Sequence, residues 1–439
     1  SINNYCYPEN PEAGIDLFLE KLVQETEKEH EDILEQADET DAMFGELYSW
    51  YLRNPEYRSR VQKLVQSAFA GKPEDIISQS VAKALYGEVS PYSATRLERF
   101  AACAFAHFLQ YGMKLTERVE YEFKPMDMGN VMHEALESFA EEVRKRGMKW
   151  TELTEQERNE IADRCLDNIV ADYGNTVLKS SARNEYMIER TRRILRRTVW
   201  ALQKQLEQGE FQPEGFEVTF GGGRIDRVDI MEDQNKVYVK VIDYKTGNTS
   251  FDLVYLYHGL QLQLMIYLDG ALRVEQKKYP DKEIIPAGVF YYNIKDPMIQ
   301  EKIDADVEAV SAGLMKELKM NGLVQADPEL VYRMDSSLGS IPVAFNKDGS
   351  FRKNSSVADR TQFAVLGRYV RTKIEKIRSS ILEGDAEVSP YELGKKNACT
   401  YCPYMTVCGF DRRLSGYEFR RLKNFSDEEL WKAFDREAE

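Results

Sequence analysis

Asp226 and Asp243 lie in two segments, 223–230 and 237–245, that alternate apolar and polar residues around a polar quartet, Glu232-Asp233-Gln234-Asn235. Such a quartet suits a hairpin loop. A hairpin centred between Gln234 and Asn235 sets Asp226 opposite Asp243, Val228 opposite Val241 and Ile230 opposite Val239. Side chains alternate across a strand, so these six share one face, apolar except where the two aspartates meet. Opposed like charges destabilise a hairpin, and burial raises the cost. A divalent cation between them offsets both. Lys245 points to the face of Asp243, and Tyr244 to the other. Two acids can hold Mg²⁺ or Mn²⁺, which lowers the pKa of a bound water. The lysine can orient that water or stabilise charge on a phosphate. The hairpin alone supports a solvated surface hairpin about as well.

His133 and Glu137, one helical turn apart, share a face. A lone helix histidine is more often structural than a ligand, so His133 gains weight from the hairpin, whereas His107 and His258 are read as structural. An imidazole beside two carboxylates favours Mn²⁺ more than an all-oxygen site does. Cys399, Cys402 and Cys408 form C-x2-C-x5-C, a metal-type spacing, and Cys6 and Cys165 read as ordinary thiols. Arg190, Arg193 and Arg197 share a helix face and could bind phosphates, or could balance nearby acids in solvent. Arg224, beside Asp226 on the acidic face, is the better candidate for gripping DNA.

These residues need elements to position them. The first 88 residues read as helical and acidic, and the pair Ser90-Pro91 marks a boundary. Thr95-Arg96-Leu97-Glu98 has capping-box form and opens a helix through Cys103. A strand is expected over 118–123 and a helix over about 128–145. Two charged helices follow over 154–209, then strands at 216–220, 223–231 and 236–245. One helix is expected over 256–272, a strand over 284–294 and a long helix over 359–382.

The chain has 439 residues and a net charge of −15, which suggests that a partner supplies part of any grip on DNA. No apolar run approaches the ~20 residues that cross a bilayer. The chain starts without Met or a signal-peptide pattern, and reads as cytoplasmic or as a piece of a longer protein. No phosphate-binding G-x-x-x-x-G-K-[ST] loop is present. Lys245-Thr246-Gly247 and Ser80-Val81-Ala82-Lys83 match two triplets of penicillin-binding serine enzymes, but the S-D-N between them is missing, and this reading is discounted.

Taken in order, Gly129/His133, Gly223/Asp226, Asp243-Tyr244-Lys245 and Gln263/Tyr267 resemble the RecB family of nucleases. The resemblance implies an α/β, restriction-endonuclease-like PD-(D/E)xK core, a mixed central sheet flanked by helices, with a helical segment before it. It implies that His133, Asp226 and Asp243 bind the metal, that Lys245 is the catalytic lysine, and that Gln263 and Tyr267 face the DNA or brace the site. Cys103 before the core and the three cysteines after it resemble the AddB-type subunits of helicase–nucleases, in which such a set holds a [4Fe-4S] cluster. Zinc is the alternative for four cysteines. This narrower resemblance covers residues 89–415 and assigns 1–88 to the tail of an inactive helicase-like region, leaving 416–439 as a helical tail. It implies hydrolysis of single-stranded DNA, the 5′-ended strand, during processing of double-stranded ends with an AddA-type partner. The alternative is an inactive nuclease fold kept for clamping DNA and binding partners.

Overall fold

Alternation along the central strands decides the architecture. On one strand Ile242 and Tyr244 join one hydrophobic cluster, while Val239 and Val241 join another. Both faces of the sheet must therefore be covered. The computed structural model describes residues 39–68, 76–87, 93–116, 125–172, 181–221, 223–299, 307–413 and 416–438. The expected strand over 118–123, the boundary at Ser90-Pro91 and Cys6 lie outside them.

Helices α1 (Glu39–Arg53), α2 (Pro55–Ala68) and α3 (Gln79–Tyr86) precede α4 (Ala94–Ala102), α5 (Pro125–Lys145), α6 (Glu155–Asp172) and α7 (Ala182–Glu207). Then come β1 (Gln212–Phe220), β2 (Gly223–Asp233), β3 (Lys236–Lys245), the short α8 (Leu253–Tyr257), α9 (Gln263–Lys278) and β4 (Glu283–Asn293). After them follow α10 (Val307–Glu317), β5 (Asn321–Gln325), β6 (Val357–Ala358), α11 (Arg360–Glu383) and α12 (Asp427–Ala438). The six strands lie side by side in chain order. Pairs β1–β2, β2–β3 and β4–β5 are antiparallel, and β3–β4 and β5–β6 are parallel. This is the mixed α/β sheet expected. Helices α5, α6 and α7 cover one face through Phe139, Leu166 and Leu202. Helices α4, α9, α11 and α12 cover the other through Leu97, Met265, Leu366 and Phe434. No helix among the described residues is long and apolar enough to cross a membrane.

Two local expectations are corrected. Helix α4 is capped by Ser93, whose side chain accepts from the Arg96 N–H, so Thr95 and Glu98 do not form a capping box there. The single helix expected over 256–272 is two, α8 and α9, broken between Tyr257 and Gln263. Gly259 has φ +77°, which L side chains rarely adopt, and a Cβ there would lie 3.2 Å from Ala101 on α4. The break at this glycine lets α4 approach closely and leaves Gln263 in the first turn of α9.

Candidate active site

The hairpin has the expected register, with Val228 opposite Val241 and Ile230 opposite Val239. Its ladder runs from Asp233–Lys236 to Arg227–Ile242 and stops one residue short of the two aspartates. There the Asp226 Oδ2 accepts from the Tyr244 N–H at 2.7 Å, so a carboxylate takes the place of a backbone carbonyl. The strands open where the acidic residues stand.

Helix α5 brings His133 over this opening, its Nδ1 3.3 Å from Asp226 Oδ2. On the far side of β2, Phe216 pairs with Arg227 and Val218 with Ile225, which puts Glu217 of β1 across from Asp226. Glu217 Oε1 lies 3.9 Å from His133 Nδ1, and its side chain is only 7% exposed. Its φ is +49°, uncommon for a residue with a side chain and frequent at functional sites. One ligand atom each from His133, Glu217 and Asp226 lie within 4.8 Å of one another. Arg224 ion-pairs with the other Glu217 oxygen. Sequence reading missed Glu217: it sits in no motif, and only its place opposite Asp226 singles it out.

Asp243 is 1% exposed. Its Oδ2 lies 2.6 Å from Lys245 Nζ, a close ion pair without hydrogen-bond alignment. Lys245 donates to Gln263 Oε1 at 2.7 Å, and Gln263 Nε2 donates to the Tyr267 hydroxyl at 2.9 Å. His133, Asp226, Asp243, Lys245, Gln263, Tyr267 and Arg224 are therefore gathered at one edge of the sheet.

Burial, and then the charge of Asp226, push the Asp243 carboxyl up to about 7 against the pull of Lys245. Burial and Asp226 likewise push Glu217 up to about 7. Burial lowers the His133 pKa, but the hydrogen bond and charge of Asp226, with Asp243 and Glu217, more than offset it and raise it. The ligand atoms that lie together are those of His133, Glu217 and Asp226, two carboxylates and one imidazole, a set that fits a divalent ion taking oxygen and nitrogen ligands, while Asp243 stands outside this group, paired with Lys245. Burial also pushes the Tyr267 hydroxyl up to about 12, so it stays protonated at neutral pH.

Arg190, Arg193 and Arg197 stand apart from the carboxylates. Arg193 pairs with Asp296 at 2.7 Å, just past the end of β4. Arg197 lies over the Trp200 ring at 5.3 Å, and Arg190 is exposed. Arg193, Arg197 and Trp200 line a groove of about 620 Å³ between α6, α7 and α10.

The four expected cysteines converge elsewhere. Cys103 ends α4 in extended conformation, and with Cys399, Cys402 and Cys408 it lines a pocket walled by Val388, Tyr404 and Phe410. Burial, then the neighbouring Cys103, Cys402 and Cys408, push the Cys399 thiol up to about 12. The Phe410 N–H donates to Cys408 Sγ at 3.4 Å. No three of these sulfurs lie within 4.8 Å of one another. Cys165 is buried away from them and is a free thiol.

The mixed sheet, with acids and a lysine at its open edge, is the architecture of a nuclease, and the chain belongs to the PD-(D/E)XK nuclease superfamily, whose profile matches residues 91–409. It is 41% identical over 425 residues to an ATP-dependent helicase/deoxyribonuclease subunit of Lachnoclostridium phytofermentans, covering 91% of this chain and 36% of that protein. Its identity to the like-named proteins from Thermoanaerobacter sp. and Alkaliphilus metalliredigens is 34%, over 91% and 90% of the chain and 37% of each relative. The chain thus spans little more than a third of the length of these curated relatives.

Proposed function

We propose that the chain carries the nuclease site of a helicase–deoxyribonuclease subunit and hydrolyses phosphodiester bonds of single-stranded DNA with Mg²⁺ or Mn²⁺. The observation that carries this reading is the set of carboxylates at the open end of the β2–β3 ladder, held so close together that burial and Asp226 push both Asp243 and Glu217 up to about 7. In this reading Asp226 and Asp243 are metal ligands, with His133 as the nitrogen donor and Glu217 as a further carboxylate. A bound divalent ion supplies an activated water and neutralises charge on the phosphate. Lys245, held by Asp243 and Gln263, would orient an attacking water or stabilise charge on the phosphate. Tyr267 anchors the far end of Gln263 and donates toward the DNA. Arg224 keeps Glu217 oriented and offers its exposed edge to a phosphate. Arg190, Arg193 and Arg197 extend this grip along α7, with Trp200 available to stack on an unpaired base. The net charge of −15 fits a division of labour in which an AddA-type subunit supplies the rest of the DNA path and the 5′-ended strand reaches this site.

We assign the four cysteines to a [4Fe-4S] cluster, as the resemblance to helicase–nuclease subunits implies, with zinc as the alternative. An apolar wall and an N–H directed at sulfur suit the cluster that the cysteine pattern implies. Joining Cys103 to Cys399 across nearly the whole nuclease domain makes the cluster a structural clasp.

Residues 1–88 are proposed as the end of the helicase-like region, 89–415 as the nuclease domain and 416–439 as a helical tail, in a cytoplasmic assembly. The test is cleavage of end-labelled single-stranded DNA with Mn²⁺ by the parent chain and by Asp243→Ala. Loss of cleavage in the variant with an unchanged circular-dichroism spectrum is expected. No metal-dependent cleavage by the parent leaves the chain as a DNA-clamping scaffold, and cleavage unaffected by the substitution overturns the site proposed around Asp243.

A further inference from the structure

Glu98 is a partly buried carboxylate to which the nuclease mechanism gives no task. Helix α9 begins at Gln263, and Leu262 at its N-cap offers no side-chain acceptor. The cap comes from α4: Glu98 Oε1 accepts from the Leu262 N–H at 2.7 Å and from the Gln263 N–H at 2.9 Å. A carboxylate at a helix N-terminus satisfies free donors and meets the positive end of the dipole. The residue whose backbone is held this way, Gln263, uses its side chain to join Lys245 to Tyr267. A continuous path of polar contacts therefore runs from Glu98 through the first turn of α9 to Lys245 and Asp243. Helix α4, which carries Glu98, ends at Cys103 of the cysteine clasp. The Glu98 carboxylate also lies near enough to Lys245 and Asp243 to feel both charges.

We propose that Glu98 is a positioning residue: anchored on the helix that the cysteine clasp holds, it fixes the first turn of α9 so that Gln263 keeps the Lys245 ammonium against Asp243. This rests on the nuclease reading. A cap that served folding alone would not need to act on the one glutamine that touches the lysine. Nor would it need to come from a helix tied to the clasp.

The experiment compares Glu98→Gln and Glu98→Ala in the full-length protein, alone and combined with Gln263→Ala. Glu98→Gln keeps an acceptor oxygen, so it should lose roughly tenfold in kcat and Glu98→Ala roughly a hundredfold, the scale of a misplaced group. KM for DNA, iron content and Mn²⁺ affinity by calorimetry should stay within about threefold of the parent, because Glu98 touches none of these. On the Gln263→Ala background, Glu98→Ala should add less than about threefold, since residues acting through one contact are not additive. Amide exchange of residues 262–267 should quicken in Glu98→Ala whether or not DNA is present. Full kcat in Glu98→Ala, or losses that multiply independently with Gln263→Ala, overturns the positioning role. Asp243→Ala separates the two readings. If it also cleaves, the nuclease reading fails and the positioning role falls with it. If it is dead while Glu98→Ala is fully active, only the positioning role fails.

Discussion

Strands β2 and β3 bury two clusters of charge within a few residues of each other, and the two are balanced in opposite ways. In the first, Asp229 receives Arg227 Nε and Nη2 at 2.6 and 2.9 Å, and Lys240 Nζ lies 2.9 Å away. The guanidinium packs near the rings of Trp150 and Phe216, at 5.5 and 5.7 Å. Burial pushes the Asp229 carboxyl up, but Arg227 and then Lys240 more than offset it and hold it below the ordinary range. In the second cluster, one residue away along β2, Asp226, Glu217 and Asp243 repel one another, and burial pushes two of them up to about 7. The first cluster is complete without a ligand, whereas in the second the pairing with Lys245, Arg224 and His133 still leaves Asp243 and Glu217 pushed up. Buried charge that the protein neutralises itself serves the fold, and buried charge left unneutralised marks where an external cation belongs.

Asp229→Asn is the strongest way to break this comparison. It leaves Arg227 and Lys240 buried without their anion, and breaking a buried pair costs roughly 3–5 kcal/mol. Urea unfolding with chelator present should show that loss, while Asp226→Asn under the same conditions should show none. A loss in Asp226→Asn as large as in Asp229→Asn would mean that both clusters serve folding alike.

The next effect is that of metal. An ion that binds the folded chain at a hundredfold excess over its Kd adds about 2.7 kcal/mol of stability. Mn²⁺ should therefore raise the urea midpoint of the parent chain and leave that of Asp226→Asn where chelator leaves it. A rise of equal size in both would place the ion elsewhere.

The sequence made the hairpin legible because period-2 alternation on both strands permits one register, and a slip by one residue would turn Val228 and Val241 out of the core. The order of His133, Asp226, Asp243, Lys245 and Gln263 was legible because each stands in a short motif. Glu217 was not, since it stands in no motif, and its place opposite Asp226 follows only from the β1–β2 register that closes where Phe220 pairs with Gly223. Glu98 was misread, because a glutamate three residues after a threonine suits a local cap, and only tertiary packing shows it capping another helix. The break at Gly259 was missed for a similar reason: a lone glycine inside an apolar helical pattern gives no sign of the helix that presses on it.

A third way to bury a titratable group is to keep it neutral, and His107 sharpens the comparison with the smallest effect. It is fully buried behind the cysteine pocket, among the rings of Tyr86, Phe100 and Tyr111. Arg96 Nε donates to its Nε2 at 3.1 Å. Burial, and then the charge of Arg96, push its pKa down to about 3. The unfolded chain protonates this imidazole near the ordinary value of about 6.5, so its contribution to stability is complete above that pH and declines as pH falls toward 3. At pH 5.5 the loss from this one group is about 1.4 kcal/mol. His107→Gln keeps a carbonyl acceptor for Arg96 and never ionises, so the difference in stability between parent and variant should shrink by about that amount between pH 7.5 and 5.5. His133, whose pKa Asp226 raises, is present in both proteins, so its titration cancels in the difference. Parallel pH profiles for parent and variant would show that His107 takes up its proton alike in the folded and unfolded chains, and that burial and Arg96 do not keep it neutral.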